Sequence, residues 1–206
     1  IKKKVIMFML SIEGGGVEKN FFIVSNFLSK LKDISVITIS KKYQNKFNKK
    51  IKFISLDLNL WDKFGRRFKY FLAIILLIKE IFKNRNIIVF SFQANIYATL
   101  ICKIFSIKII TRSNSAPYGW SNNFIKRTLF KFFLKVSDKV MVNSFEFKKD
   151  LKQQFDVNAV CIYNPLNIRE IKKNSQLKAK SLFKKNSLRI INVGRFTNQK
   201  DQITLL

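Results

Sequence analysis

Ser11-Ile12-Glu13-Gly14-Gly15-Gly16-Val17-Glu18 is the stretch that decides the fold. It follows an apolar run, Val5 to Leu10, that reads as a buried strand. It leads into a helical pattern that starts near Val17. Strand, glycine turn, helix is a unit that can hold an anion. The free N–H groups of the first helical turn point back at the turn, and the helix dipole adds roughly half a positive charge there. Glycine lets the backbone approach a phosphate with no Cβ in the way. Three of the chain's six glycines stand in this one turn. A plain strand-to-helix turn would use the same residues, so two readings stay open here.

Working outward, short apolar runs alternate with helical patterns. Residues 3–10 predict a first strand. Residues 17–32 predict a helix with Val17, Phe21, Val24, Leu28 and Leu31 on one face, a period near 3.6. Further strands are expected at Val36 to Ser40, Ile51 to Leu56, Asn86 to Ser91, Lys108 to Arg112, Lys139 to Val142 and Val157 to Tyr163. Helices are expected at Trp61 to Lys83, Gln93 to Ser106 and Asn122 to Val136. Another runs to about Phe155, capped by Asn143 or Ser144 with Glu146 following. This alternation predicts an α/β fold, a doubly wound parallel sheet. Ligands in such sheets bind outside the carboxyl ends of the strands, where the glycine turn lies. The loop from Ser113 to Trp120 carries turn formers and aromatics and is a candidate site loop.

Composition narrows the partners. The 206 residues carry 40 Lys and Arg against 12 Asp and Glu, a net charge of +28. That excess favours an anionic partner or an anionic membrane surface. The basic residues form no single stripe with interleaved aromatics, and no nucleic acid is expected. The chain has no histidine, which excludes His-based catalysis and His-ligated metals in these residues. Cys102 and Cys161 each sit in an apolar run, as small core filler, in keeping with a reducing cytoplasm. The basic start leads into too few apolar residues for a signal peptide. The apolar run Phe71 to Ile78 falls well short of the ~20 residues that span a bilayer. The helix expected at Trp61 to Lys83 is apolar on more than one face. It packs between the sheet and its neighbours, or it sets Arg66, Arg67 and Lys69 against lipid head groups.

The glycine turn fails two familiar patterns. In Gly14-Gly15-Gly16-Val17-Glu18-Lys19 a lysine stands where the dinucleotide fingerprint needs its third glycine, and no acid follows the second strand to hold a ribose. No Gly-Lys-Ser/Thr follows, which excludes a P-loop. A second glycine-basic cluster then matters. Val193-Gly194-Arg195-Phe196-Thr197-Asn198-Gln199-Lys200 again follows an apolar run, Leu188 to Val193, and opens a helical pattern. An arginine fork and a lysine point charge five residues apart suit a diphosphate.

In this order the motifs resemble glycosyltransferase family 4, retaining enzymes with the two-lobed GT-B fold. The matching stretches are Gly15-Gly16-Val17-Glu18, Ser137-Asp138-Lys139-Val140-Met141-Val142-Asn143-Ser144, Ile162-Tyr163-Asn164-Pro165, and Val193-Gly194-Arg195-Phe196 with Gln199-Lys200. Ser91-Phe92 to Asn95 and Arg112-Ser113-Asn114 are similar to members that build bacterial surface polysaccharides. The resemblance implies an acceptor-side Rossmann-like lobe at 1–165, a polar connector at 166–187 and the start of a nucleotide-sugar lobe at 188–206. It implies a nucleotide-sugar donor, a glycan or lipid-linked acceptor, no cofactor or metal, and a cytoplasmic protein that can sit on the inner membrane face. Gly15 and Gly16 would present N–H groups near the donor phosphate. Arg195 and Lys200 would neutralise the leaving diphosphate. Asn95, Arg112 and Asn114 become acceptor-side candidates. Many members carry a histidine in lobe one; here Gln93 or Asn95 lies in that neighbourhood, and the catalytic polar group is unassigned. The family's paired-glutamate motif and nucleotide pocket lie beyond Leu206, so the expectation is a chain that does not turn over alone. The alternative is a non-enzymatic basic module that binds polyanions or a membrane surface.

Overall fold

The computed structural model describes residues 3–10, 12, 15–39, 41–56, 65–93, 95–114, 124–177, 190–194 and 201–205. Seven strands form one parallel sheet: β1 (Lys4–Phe8), β2 (Ile34–Ile37), β3 (Lys52–Ile54), β4 (Ile87–Ser91), β5 (Lys108–Ser113), β6 (Lys139–Val142) and β7 (Ala159–Cys161). Their order is β3-β2-β1-β4-β5-β6-β7. The helices between them are α1 (Gly16–Leu28), α2 (Arg66–Lys83), α3 (Asn95–Ile104), α4 (Phe124–Val136) and α5 (Phe145–Phe155). A single turn of 3₁₀ helix, Gln44–Lys46, lies between β2 and β3.

Both faces of the central strands are buried, as parallel strands require. On β1, Ile6 and Phe8 join Leu77 and Ile81 of α2, Ala98 and Cys102 of α3, and Ile109 of β5. Met7 and Met9 point the other way, toward Phe21 of α1, Val36, Phe90 and Phe92. Right-handed crossovers explain the split: the chain steps one way from β1 to β3 and the other way from β3 to β7. Thus α1 covers one face while α2 to α5 line the opposite one, where Leu134, Leu151 and Phe155 pack on Val140 and Val142. Phe21 anchors the first face, with its ring edge-on to Phe47 at 5.8 Å and to Phe92 at 5.0 Å between centroids.

Most expected elements recur with shorter ends, but β2 begins two residues earlier than expected, at Ile34, and β5 runs one residue further, to Ser113; the expected start of α2, Trp61 to Phe64, lies outside the described residues. The first helix stops at Leu28 with Ser29 as its cap, and Leu31, expected on the buried face, is exposed. Ser144, rather than Asn143, caps α5: its hydroxyl oxygen accepts from the Phe147 N–H. Cys102 is buried in α3, and burial pushes its thiol up to about 12. Asp138 ties α3 to the sheet. Its carboxylate accepts from Lys103 Nζ at 2.7 Å and from the Ile109 N–H at 2.8 Å. Partial burial opposes ionisation, but those donors prevail and hold its pKa below the ordinary value.

The chain divides into two compact units, residues 1–166 and 167–206. The second holds α6 (Ile168–Ser175) and α7 (Gln202–Leu205). Helix α6 lies inside the stretch read as a featureless polar connector. Asn167 accounts for it: its amide donates to Glu170 Oε2 at 2.9 Å, and its Oδ1 accepts from the Glu170 N–H at 3.3 Å. That is a reciprocal cap. Residues 190–193, expected in a strand, are in none. A strand exists only against a paired neighbour, and the described residues of this unit offer none.

Phe21→Ala is expected to lower unfolding free energy by about 3–5 kcal/mol, because it empties a ring-lined site that cannot collapse freely; urea unfolding followed by far-UV circular dichroism measures it. Asp138 contributes its stability above its unfolded pKa of about 3.9, and that contribution fades as pH falls through the lower folded value. Asp138→Asn therefore loses less stability than the native chain in acid, with a difference of about 0.5–1 kcal/mol for this half-exposed pair.

Candidate functional site

The strand order reverses between β1 and β4, and the carboxyl ends of the strands at such a switch point are where doubly wound sheets bind ligands. The Phe92 N–H bonds the Phe8 carbonyl at 2.9 Å, so the exits of β4 and β1 run side by side. One exit is the glycine turn and the other leads to Asn95.

At the glycine turn, Gly15 is the extended residue before α1 and Gly16 its first helical residue. The two glycines have different reasons to be glycine. A Cβ on Gly15 would stand 2.7 Å from Glu18 Oε2, whereas a Cβ on Gly16 would meet nothing within 4 Å. Glu18 is only 8% exposed and folds back over the start of its own helix. A carboxylate in the first turn is electrostatically favoured. Gly16 faces open space. Glu13 and Gly14 lie outside the described residues, as do Arg195 and Lys200.

A polar cluster is built around Arg112, at the end of β5 and 1% exposed. Its Nε donates to Asn114 Oδ1 at 3.1 Å and its Nη2 to Asn164 Oδ1 at 2.6 Å. The guanidinium carbon stands 5.2 Å from the centre of the Phe92 ring, a cation–π distance. The backbone is drawn in as well. Asn114 Nδ2 donates to the Phe92 carbonyl at 3.0 Å, and Asn95 Nδ2 to the Arg112 carbonyl at 2.8 Å. The exits of β4, β5 and β7 are thereby joined through one buried cation. Among the described residues no carboxylate pairs with it. Burial pushes the Arg112 pKa down from its ordinary value, yet an arginine stays charged in water-accessible pH.

Sequence reasoning placed Asn95, Arg112 and Asn114 on the acceptor side, and the structure brings these three together. It adds Asn164, which sequence reasoning had quoted only as part of the exit from the first lobe. Asn143, which the sequence offers as a cap and as part of the matching stretch Ser137 to Ser144, directly follows the neighbouring strand β6. The side-chain oxygens of Asn95 and Asn143 are buried with no hydrogen-bond partner among the described residues. Buried acceptors without donors are uncommon, and such groups suit a ligand that brings hydroxyls. The available signal was positional: Asn95 opens α3, Asn114 and Asn143 directly follow β5 and β6, and Asn164 lies three residues past β7.

Solved structures share this architecture. A glycosyltransferase from Rickettsia africae ESF-5 matches with a TM-score of 0.57 at 21% identity, over 86% of this chain and 46% of its own. HepE from Anabaena, solved in complex with UDP and glucose, matches at 0.55 and 12% identity, over 84% of this chain and 50% of that one. UGT73P12 from Glycyrrhiza uralensis, complexed with glycyrrhetinic acid 3-O-monoglucuronide, gives 0.56 at 8% identity over 79% and 49%. This chain therefore spans about half the length of the structures it matches. No family model matches it, and no curated protein does. The fold is that of a Rossmann-like lobe of the GT-B glycosyltransferases.

Arg112→Lys keeps the charge but loses the planar fork, and Asn114 and Asn164 cannot both be served. The expected cost is about 2 kcal/mol, the scale of hydrogen bonds to a charged group. Thermal unfolding of Arg112→Lys, Asn164→Ala and the double variant checks it; additive losses would show that the two groups are not coupled.

Proposed function

We propose that this chain is the acceptor-side lobe, with the beginning of the donor-side lobe, of a family 4 retaining glycosyltransferase. It moves a hexosyl group from a nucleotide-sugar donor, of the UDP type that HepE was solved with, to a glycan or lipid-linked acceptor. The product belongs to cell-surface polysaccharide, and the enzyme works in the cytoplasm on the inner face of the membrane. The observation that carries this reading is the polar cluster of Arg112, Asn95, Asn114 and Asn164 at the carboxyl edge of a GT-B-like sheet. Its buried, unpartnered amide oxygen on Asn95 supports a hydroxylated ligand.

The roles follow the chemistry. Gly15 and Gly16 offer the diphosphate the positive end of α1. Gly16 has open space for a close approach, and Glu18 must swing aside or be screened as an anion enters. Arg195 and Lys200 supply cationic charge where the departing diphosphate becomes more negative. Asn95, Arg112 and Asn114 orient the acceptor. In this reading residues 1–165 form the acceptor lobe, 166–187 the connector and 188–206 the entry to the nucleotide lobe.

Gly16→Ala separates the two explanations of the glycine turn. It leaves the thermal midpoint unchanged or raised, because alanine is the better helix former and no Cβ clash exists. In a polypeptide carrying both lobes it raises KM for the donor, while Arg195→Ala and Lys200→Ala each lower kcat on the order of 10²-fold. A radiolabelled transfer assay with a panel of nucleotide sugars measures all three. Unchanged turnover in the Arg195 and Lys200 variants would remove the diphosphate assignment. Transfer by the 206-residue chain by itself would show that no further lobe is needed.

A further inference from the structure

Helices α2, α3 and α4 lie side by side on one face of the sheet, with α3 packed against both neighbours. Their outward sides are unusually apolar. On α4, Ile125, Leu129 and Phe132 recur at spacings of four and three residues and form one stripe, while Phe124, the first residue of the helix, lies on the flank beside it. Phe124 is 81% exposed, Ile125 68% and Phe132 57%. The inner side of the same helix holds the buried Leu134. At 3.6 residues per turn, Lys131 and Lys135 fall along one flank of the stripe and Lys126 along the other. Tyr97, Leu100 and Ile104 of α3 and Phe71 and Phe82 of α2 are exposed as well. Together the three helices carry ten Lys and Arg, and a single acid, Glu80, which is buried.

We propose that this helical layer, centred on α4, is a docking face for an anionic lipid surface. The inference rests on the membrane-face location proposed above and deepens it by assigning the surface that makes the contact. An apolar stripe between flanking lysines is the arrangement that lets a helix lie in the head-group plane, with rings and branched chains in the acyl boundary and ammonium groups at the phosphates. Among the described residues no helix is long and apolar enough to cross a membrane, so α4 would lie on the surface. Charge argues against a second copy as the occupant, since two chains of +28 repel. Nucleic acid is a poor match, because Ile125 and Leu129 at the centre of the face have no π surface for bases.

Co-sedimentation of the 206-residue chain with phosphatidylglycerol/phosphatidylcholine vesicles, set against pure phosphatidylcholine, tests the proposal. Binding to the anionic vesicles is expected, and it persists in part at high salt through the apolar stripe. Ile125→Gln with Phe132→Gln reduces that residual binding at least tenfold. Lys126→Gln with Lys131→Gln weakens binding at low salt by about fivefold per lysine. Lys49→Gln with Lys50→Gln, matched in charge on the exposed turn before β3, has a smaller effect. Equal losses in the α4 and control lysine pairs would mean charge attraction with no defined face. A Phe132→Trp variant gives an independent readout: its emission shifts to the blue on anionic vesicles and is quenched by brominated lipid. Emission that stays red on sedimented vesicles overturns the proposal. So does vesicle-independent self-association that Phe132→Gln abolishes, which would assign the face to a second copy.

Discussion

A guanidinium buried with no carboxylate against it among the described residues is the constraint on which the carboxyl edge of this sheet depends. Charge that deep is tolerated only when its donors are met, and Arg112 meets them with amide oxygens from Asn114 and Asn164 and with the face of Phe92. Each partner belongs to a different strand exit. The same interaction that solves a solvation problem therefore sets the spacing of three loops. Phe92 also meets Phe21, so the cation's support reaches α1 and the glycine turn at its head. The glycine turn and the Arg112 cluster are thus linked by aromatic packing as well as by adjacent strands.

The topology was legible because parallel strands buried on two faces must be apolar throughout, and turn formers punctuate them. Residues 139–142 show this well: Lys139–Val142 is bounded by Ser137-Asp138 and by Asn143-Ser144, and the observed strand has those limits. Ends were less legible, because tertiary pairing decides where a strand stops. Leu31 has the right spacing for the core but falls past a helix end closed by Ser29. Helix α6 was hidden by its lysines and asparagines, which weaken any apolar period. Its signature was the Asn167/Glu170 pair rather than hydrophobicity.

The site was half legible. An arginine closing an apolar strand draws attention, and Asn95, Arg112 and Asn114 stand out for their positions. Whether such an arginine is solvated or buried cannot be read from local sequence, since burial comes from Phe92 and from Asn164, 52 residues further along. The two glycines illustrate the same limit. Side by side they look equivalent, yet one makes room for Glu18 and the other faces open space. The outward stripe of α4 is another case: its period resembles that of a core helix, and only the position of the sheet reveals that the helix has two apolar sides.

The two cysteines differ in a way that gives the molecule its own clock. Cys102 lies wholly inside, between α3 and the sheet, with a thiol that releases its proton only near pH 12, while Cys161 sits half-buried on the edge strand β7. A thiol reagent thus reports on the edge of the sheet from the intact fold. It reaches Cys102 only in the moments when α3 lifts from the strands beneath it. The lag between the two modifications measures how often that helix opens.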